Sequence, residues 1–275
     1  MLLGEQRRPR PGGTTLRRDG PLIIAFLRGL FPPGGCALDK GTALAATFEA
    51  DWAGTPDVTK IHTTRNNTLP FAGTASGTLL VEDGTPAARV TELADGLRRY
   101  VARRRAITGR ITADAVTFTV FADRSRTDEA LALWRSLTAD DRLLTGDIHD
   151  ASTKGTVRWR ITLTAATTAG ALTLFQDVVT GGERHRRPSN VLSLEVATGR
   201  GVRPGGFVGT DFHGALPTGA IAAYEAVAAR HAVVHAAMRP DRVSIVVAED
   251  AARADAAELA GAAAPGLAVT VTGAR

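Results

Sequence analysis

The chain has 275 residues, of which 44% are hydrophobic and 22% are charged. This composition is ordinary for a globular protein and excludes disorder over most of the length. The one cysteine excludes an internal disulfide framework, and no run of about eighteen apolar residues is present that could cross a membrane. We therefore expect a cytoplasmic protein with no membrane partner.

The formal net charge is +5, and 30 of the 33 basic residues are Arg. This usage, together with the abundant Ala and Gly, is typical of a bacterial protein encoded by a GC-rich genome. The basic excess is N-terminal, where residues 1–20 form an arm interleaved with Pro and Gly that we predict to be disordered. The charge also raises the hypothesis of nucleic-acid or polyanion binding.

The first predicted elements are short strands followed by a helix. Alternation of apolar and polar residues, with Phe48, Ala50 and Trp52 at every second position, predicts a strand at 43–52. Further strands are predicted at 58–63 and 77–82. An amphipathic helix is then expected over 87–106, whose solvent-facing sides carry the arginines between Arg98 and Arg105.

The middle of the chain predicts an antiparallel sheet with one buried face and one face rich in Thr and Arg. A strand at 116–120 is followed by a helix at 127–137 and a turn at 147–150. Two alternating runs, 157–163 and 172–178, flank the turn Thr167–Gly170 and so predict a hairpin. Another strand is expected at 192–196.

A change of character follows Gly199, because residues 199–219 contain seven glycines. The predicted elements beyond are a helix at 218–238, a strand at 243–248, a helix at 251–264 and a strand at 267–272. A strand, helix and strand in this order imply parallel pairing. No internal repeat of fixed period is found in the sequence.

The predicted fold class is therefore α+β, with an antiparallel sheet and covering helices followed by a C-terminal α/β (strand-helix-strand) unit. The domain boundaries we predict are a basic arm at 1–20, a mixed α+β region at 21–198, and a unit at 199–275 that comprises the Gly-rich loop and the C-terminal α/β elements. The last two regions are expected to share one core.

Three histidines near the start of the C-terminal unit are the predicted catalytic residues: His213, His231 and His235. On the helix predicted over 218–238, His231 and His235 would share one face among apolar residues. Inward-facing imidazoles need polar partners, and hydrogen bonds to backbone carbonyls are the structural alternative to a functional role.

A divalent metal is the cofactor that such a pair could hold, with His231 and His235 as ligands and His213 or Asp211 as a third. Ala232 follows the first histidine, so the helical general base of zinc peptidases is absent. Acid/base chemistry without a metal is the alternative use of the same residues.

Substrate-binding residues are predicted in the Gly-rich loop and beside it. Arg200 and Arg203 could donate charge-assisted hydrogen bonds to an anionic group, and Asp211 lies later in the same loop. Asp250 follows a predicted parallel strand, at the end where open α/β sheets bind ligands. It could equally cap the next helix.

One segment resembles a known family. Residues 220–250, AIAAYEAVAARHAVVHAAMRPDRVSIVVAED, are similar to the helix and following strand of thiolase-fold condensing enzymes. That family would place its nucleophilic cysteine near the start of the helix, where this chain has Leu216, Pro217 and Thr218. The resemblance therefore implies a local structure and carries no activity over.

The leading functional hypothesis is a soluble enzyme of small-molecule metabolism that acts on a polar or anionic substrate through histidine acid/base or metal-assisted chemistry. One alternative is a protein that binds nucleic acid or another polyanion through the Arg98–Arg105 helix and the N-terminal arm. A further alternative is a structural, β-rich assembly subunit. A homo-oligomer is compatible with each hypothesis.

Overall fold

The computed structural model describes residues 40–69, 72–153, 156, 158–181, 184–185, 189–202, 205–210 and 215–274. The basic arm predicted at 1–20 lies outside these residues. Within them, no helix is long and apolar enough to cross a bilayer.

Helices and strands alternate regularly along the described chain. The α-helices are α1 (Lys40–Trp52), α2 (Ala87–Arg103), α3 (Arg124–Thr138), α4 (Thr168–Thr180), α5 (Thr218–Ala228) and α6 (Arg253–Ala263), the last preceded by a 3₁₀ turn at Asp250–Ala252. The strands are β1 (Val58–Leu69), β2 (Ala72–Val81), β3 (Ile107–Ala113), β4 (Val116–Val120), β5 (Leu143–Asp150), β6 (Trp159–Ala165), β7 (Val191–Thr198), β8 (Gly205–Gly209), β9 (Val233–Arg239), β10 (Arg242–Val247) and β11 (Ala268–Gly273).

All of these strands form one sheet whose spatial order is the order of the chain, β1 to β11. Antiparallel hairpins β1–β2, β3–β4, β5–β6, β7–β8 and β9–β10 alternate with parallel pairs joined through α2 to α6. The fold is therefore a hairpin-plus-helix unit used repeatedly. The repeat lies in the topology, and its members differ in length and sequence.

This sheet contradicts the predicted fold class. The predicted antiparallel sheet is wrong, because parallel pairs occur throughout one mixed sheet. The C-terminal strand, helix and strand are present as β10, α6 and β11, and their parallel pair continues that sheet. The physical reason lies in α4, since its residues 172–178 were expected to be a strand. Thr167 caps α4 by accepting a hydrogen bond from the Gly170 N–H at 3.0 Å, so the predicted turn is a helix start.

Three other predicted elements are wrong for related reasons. Residues 43–52 form α1 because Phe48 and Trp52 are also four residues apart, which puts them on one helix face, where their ring centroids are 6.1 Å apart. The predicted turn at 147–150 belongs to β5. The helix predicted to reach residue 238 ends at Ala228, and β9 begins at Val233, so the thiolase-like helix is not formed over its expected length.

The hydrophobic core lies on one face of the sheet. Buried side chains pair across successive strands, as Leu79 does with Ile111, Ile111 with Phe118, and Phe118 with Ile148. Helices cover this face closely: a Cβ on Gly109 would lie 2.8 Å from Leu97 of α2. We call this side the covered face.

The opposite side of the sheet, which we call the open face, is polar. Alternation along each strand places there the residues that do not point to the core. Its charged side chains are Lys60, Arg110, Asp147, Arg160, Glu195, Arg239 and Arg242, and threonines separate them along β2, β3, β4, β6 and β11. The predicted sheet face rich in Thr and Arg is therefore present on this mixed sheet.

Candidate functional site

A cleft of about 530 Å³ opens on the open face where the end of β7, the following turn, β8 and β9 meet. Its lining includes Arg200, Phe207, His235 and Arg239. Two of these, Arg200 and His235, are residues that the sequence predicted for a site. We call this recess the open-face cleft.

The open-face cleft forms because small residues surround one aromatic ring. On β8, Gly205 and Phe207 point toward the open face, and Phe207 is paired with Ala197 on one side and Ala237 on the other. The methyl groups of Ala197 and Ala237 are short, and Gly205 has no side chain. Space on the open face around these residues is therefore left unfilled. The result is an apolar floor, and the Phe207 ring bounds it on the side of Gly209, where a Cβ would lie 3.0 Å from the ring.

Arg200 is carried at the rim by a tight turn. The Val202 N–H donates to the Gly199 carbonyl at 3.1 Å, and Gly201 has φ +84°. A positive φ at the third position of a turn favours glycine because a Cβ there is strained. Arg200 is the second residue of the turn, so its side chain is exposed beside the cleft.

His235 lies on β9, directly opposite Gly205 of β8. A Cβ at position 205 would stand 3.0 Å from His235 Nδ1. Glycine at this position therefore avoids crowding the imidazole. The side chain is exposed, and in the described part of the chain no hydrogen bond to its ring is found. The imidazole is therefore available to a ligand.

Arg239 is the most firmly placed cation of the cleft. Its guanidinium carbon lies 4.6 Å from the Phe207 ring centroid, and Nη2 is 3.7 Å from Oε1 of Glu195. Stacking on the ring and the nearby carboxylate both limit the freedom of the side chain. Arg200, Arg239 and His235 thus surround an apolar floor, with Glu195 as the nearby anion, and this combination suits an anionic ligand with an apolar body.

Two of the three predicted catalytic histidines, His231 and His235, lie apart in the structure. His231 follows α5 and its Nε2 is 2.6 Å from Oδ2 of Asp255 on α6, on the covered side of the sheet, whereas His235 points to the open face. The shared helical face expected for these two residues does not exist. His213, Asp211 and Arg203 lie outside the described residues.

The helix expected to align His231 and His235 as metal ligands ends at Ala228. Among residues the structure describes, no group of three or more His, Cys, Asp or Glu side chains is placed to hold a metal ion. Asp250 lies in the 3₁₀ turn against the end of β11, with Oδ1 3.8 Å from Nη1 of Arg253, and does not line the open-face cleft.

Phe207, Arg239 and Glu195 are cleft residues or neighbours of the cleft that the sequence did not predict as candidates. The sequence pattern that could have identified Phe207 and Arg239 is the alternation of side chains along β8 and β9. This alternation puts both residues on the same face as His235. The period was hidden because 205–209 is rich in glycine and 233–239 was interpreted as a helix. Glu195 was identified only as part of a strand.

A second polar cluster is buried on the covered side. His185 is fully buried, with Nδ1 3.0 Å from Ser136 Oγ and Nε2 2.9 Å from Asp140 Oδ2. Asp140 also accepts hydrogen bonds from Nε and Nη2 of Arg142, at 2.9 and 2.6 Å. The Ser-His-Asp set has the composition of a hydrolase triad.

Electrostatics and burial assign this cluster to stability. The hydrogen bonds from Arg142 hold the pKa of the Asp140 carboxyl well below its ordinary value, assisted by His185 and opposed by burial. Ser136 Oγ donates to the Leu133 carbonyl at 2.9 Å, in the last turns of α3. The cluster fixes His185 to the end of α3 and to the turn that precedes β5.

The chain was compared with models of protein families, with curated proteins and with solved structures. None of the three comparisons finds a match.

Proposed function

We propose that this chain is an enzyme of small-molecule metabolism that binds an anionic substrate in the open-face cleft. The observation that supports the proposal is the convergence of Arg200, His235 and Arg239 on one recess. Guanidinium groups favour carboxylate and phosphate because they donate charge-assisted hydrogen bonds, often in pairs. The cytoplasmic location expected from the sequence belongs to the same proposal.

The floor of the cleft narrows the substrate class. Phe207, with Ala197 and Ala237 paired on either side, offers an apolar surface there. A small molecule with a carboxylate or phosphate at one end and a planar or aliphatic body would bury its body there. Its charged end would then reach Arg239, which stacks on Phe207, and Arg200 at the rim.

His235 is the proton donor or acceptor in this proposal. Histidine is the side chain that exchanges protons near neutral pH, and a general acid or base must reach its substrate directly. The ring of His235 faces the cleft opposite Gly205. The acid/base form of the original hypothesis is thus retained with one histidine, and His231 is assigned to the contact with Asp255.

The test begins with a panel of small carboxylates and phosphate monoesters, screened for a rise in melting temperature and then measured by calorimetry. We expect Arg239→Gln to weaken binding by at least about tenfold, because a charge-assisted hydrogen bond contributes about 1.5–3 kcal/mol. Arg160→Gln is the matched control, since Arg160 is on the open face two strands from β8.

The variant His235→Gln separates binding from chemistry. We expect it to retain most of the affinity for the ligand and to lose turnover of it. Equal affinity for the wild type, Arg239→Gln and Arg160→Gln would place binding elsewhere and contradict the proposal, as would a panel in which no anion binds.

A second candidate function is binding of a polyanion along the open face. Lys60, Arg110, Arg160, Arg239 and Arg242 outnumber Asp147 and Glu195 there. On α2 and the residues after it, Arg98 Nε is 3.2 Å from Asp95 Oδ1 and Arg104 Nη1 is 2.8 Å from Asp51 Oδ2. Arg99, Arg103 and Arg105 are exposed there.

Salt dependence distinguishes the two candidates. Polyanion binding releases counterions, so affinity for a nucleic acid would fall steeply with salt and would decrease in Arg160→Gln. The cleft proposal expects no binding of nucleic acid at low salt and no effect of Arg160→Gln on the small ligand.

A further inference from the structure

The two edges of the sheet differ in how they are protected from pairing with another strand. The edge strand β1 carries Lys60, His62 and Arg65, and its register with β2 shifts twice. Charged residues and irregular register are devices that protect exposed edges. The other edge strand, β11, has the sequence AVTVTG, with no charge, no proline and no shift of register against β10.

The backbone of β11 presents free pairing groups at regular spacing. The Ala274 N–H donates to the Val247 carbonyl at 2.8 Å, so the even-numbered residues of β11 direct their amides toward β10. Because alternate residues point to opposite sides of a strand, the N–H and C=O groups of Val269, Val271 and Gly273 point away from β10. Within the described residues, no strand pairs with this side.

The side chains of β11 are also only half covered. Val269 and Val271 point to the covered face and pack against the core, yet both are partly exposed, whereas Val243 and Ile245 on neighbouring β10 are buried. Each earlier odd-numbered strand, from β1 to β9, forms an antiparallel hairpin with the strand that comes next in the chain. In β11 that position is vacant among the described elements.

We propose that β11 pairs antiparallel with β11 of a second copy, which joins two sheets edge to edge in a twofold dimer. A register centred on Val271 places Val269 opposite Gly273 of the second copy, and Val271 opposite Val271. All six outward N–H and C=O groups of each strand then find partners. This register also keeps both covered faces on the same side, so the valines of the two copies meet.

The composition of β11 selects this occupant. A two-fold antiparallel contact requires a strand that is complementary to itself, and an uncharged run with alternating Val and Thr meets that requirement. Pairing of β11 with β1 of another copy would build an open chain of molecules, and the charges and register shifts of β1 oppose it. The dimer is independent of the open-face cleft.

Light scattering coupled to size exclusion tests the dimer on the full chain. We expect twice the chain mass of 28.8 kDa for the wild type at micromolar concentration. In the proposed register Thr270 lies opposite Thr272 of the second copy on the open face. The double variant Thr270→Lys with Thr272→Lys therefore sets like charges against each other, and we expect a single-chain mass.

Two further variants make the result specific. Thr270→Lys with Thr272→Glu places opposite charges across the contact, so we expect the double mass to return. Thr162→Lys with Thr164→Lys puts the same charges on the open face of β6, inside the sheet, and should leave the dimer intact.

Amide exchange provides an independent measurement. Slow exchange of the Val271 N–H in the wild type and fast exchange in the doubly lysine-substituted variant are expected. A wild type with the mass of one chain, a mass above two chains, or a dimer that survives the lysine pair would overturn the proposal.

Discussion

The covered and open faces belong to the same strands, yet the covered face holds the hydrophobic core and the open face holds the proposed site. On the covered face, glycines admit helices and buried side chains form the core, as at Gly109 beneath Leu97. On the open face, a glycine and two alanines leave room around Phe207, and the exposed imidazole of His235 lies in that space. Small residues thus serve packing on one face and access on the other.

A substitution in the buried cluster of His185, Asp140 and Arg142 should have the largest effect on the free energy of unfolding. For Asp140→Asn we expect a loss of about 3 kcal/mol in the free energy of unfolding at neutral pH, because Arg142 and His185 lose a buried charged partner. Urea denaturation measures the loss. Asp141→Asn is the control, since Asp141 is exposed and its contact with Arg184 is 3.6 Å long.

The pH dependence of Asp140 has a defined sign. Its folded pKa is depressed, so its contribution to stability is present above the unfolded pKa of about 3.9 and is lost as pH falls from there toward the folded pKa. The difference between wild type and Asp140→Asn should therefore shrink in acid. A difference that is constant from neutral pH to pH of about 3 would contradict this account.

Adjacent residues on β2 allow the two faces to be compared directly. Gly77 lies beneath the Phe48 ring on the covered face, whereas Thr78 points to the open face. We expect Gly77→Ala to cost about 2 kcal/mol through overpacking. Thr78→Ala should change the free energy of unfolding by no more than about 0.5 kcal/mol. Equal effects in denaturant titrations would remove the distinction between the faces.

Substitution in the turn that carries Arg200 should have a smaller effect on the free energy of unfolding. Gly201 has φ +84°, so Gly201→Ala is expected to destabilise by about 1 kcal/mol even though no atom obstructs the methyl group. Gly261→Ala, in helix α6 with open space around it, should instead stabilise by about 0.5–1 kcal/mol. Thermal melts that show the same sign for both would contradict the role of backbone conformation here.

The smallest expected change in stability is at the cleft itself. His235 is exposed and, among the described side chains, has no hydrogen-bonding partner, so His235→Gln should alter the free energy of unfolding by less than about 0.5 kcal/mol. A large loss in denaturant titration would indicate that the imidazole is a structural element, and the acid/base role would then need another residue.

Local sequence patterns were sufficient for several elements. Helices α2, α3 and α6 and strands β4, β6, β7, β10 and β11 lie close to their predicted positions. Each carries a hydrophobic period that fits one kind of element. The predictions failed in α1, α4 and β9, where spacings such as Phe48 to Trp52 satisfy both the helical and the strand period over a short length.

The candidate site was predictable only in part. Arg200 and His235 were identified as residue types suited to binding and proton transfer, and the structure places both at one cleft. Their partner Arg239 could not be inferred, because its position over Phe207 depends on the pairing of β8 with β9. His231 lies away from His235 because α5 ends at Ala228, and a helix that ends early changes the direction of every later side chain.

The sequence alone determined the composition of the two faces, since alternation of Val, Ile and Leu with Thr and Arg is a local property of each strand. Tertiary structure decided which strands became neighbours, which pairs are parallel and where the glycines of β8 leave a recess. The physical reason is that strand pairing joins residues distant in the chain. Their contacts depend on how helices return the chain to the sheet, which no local period encodes.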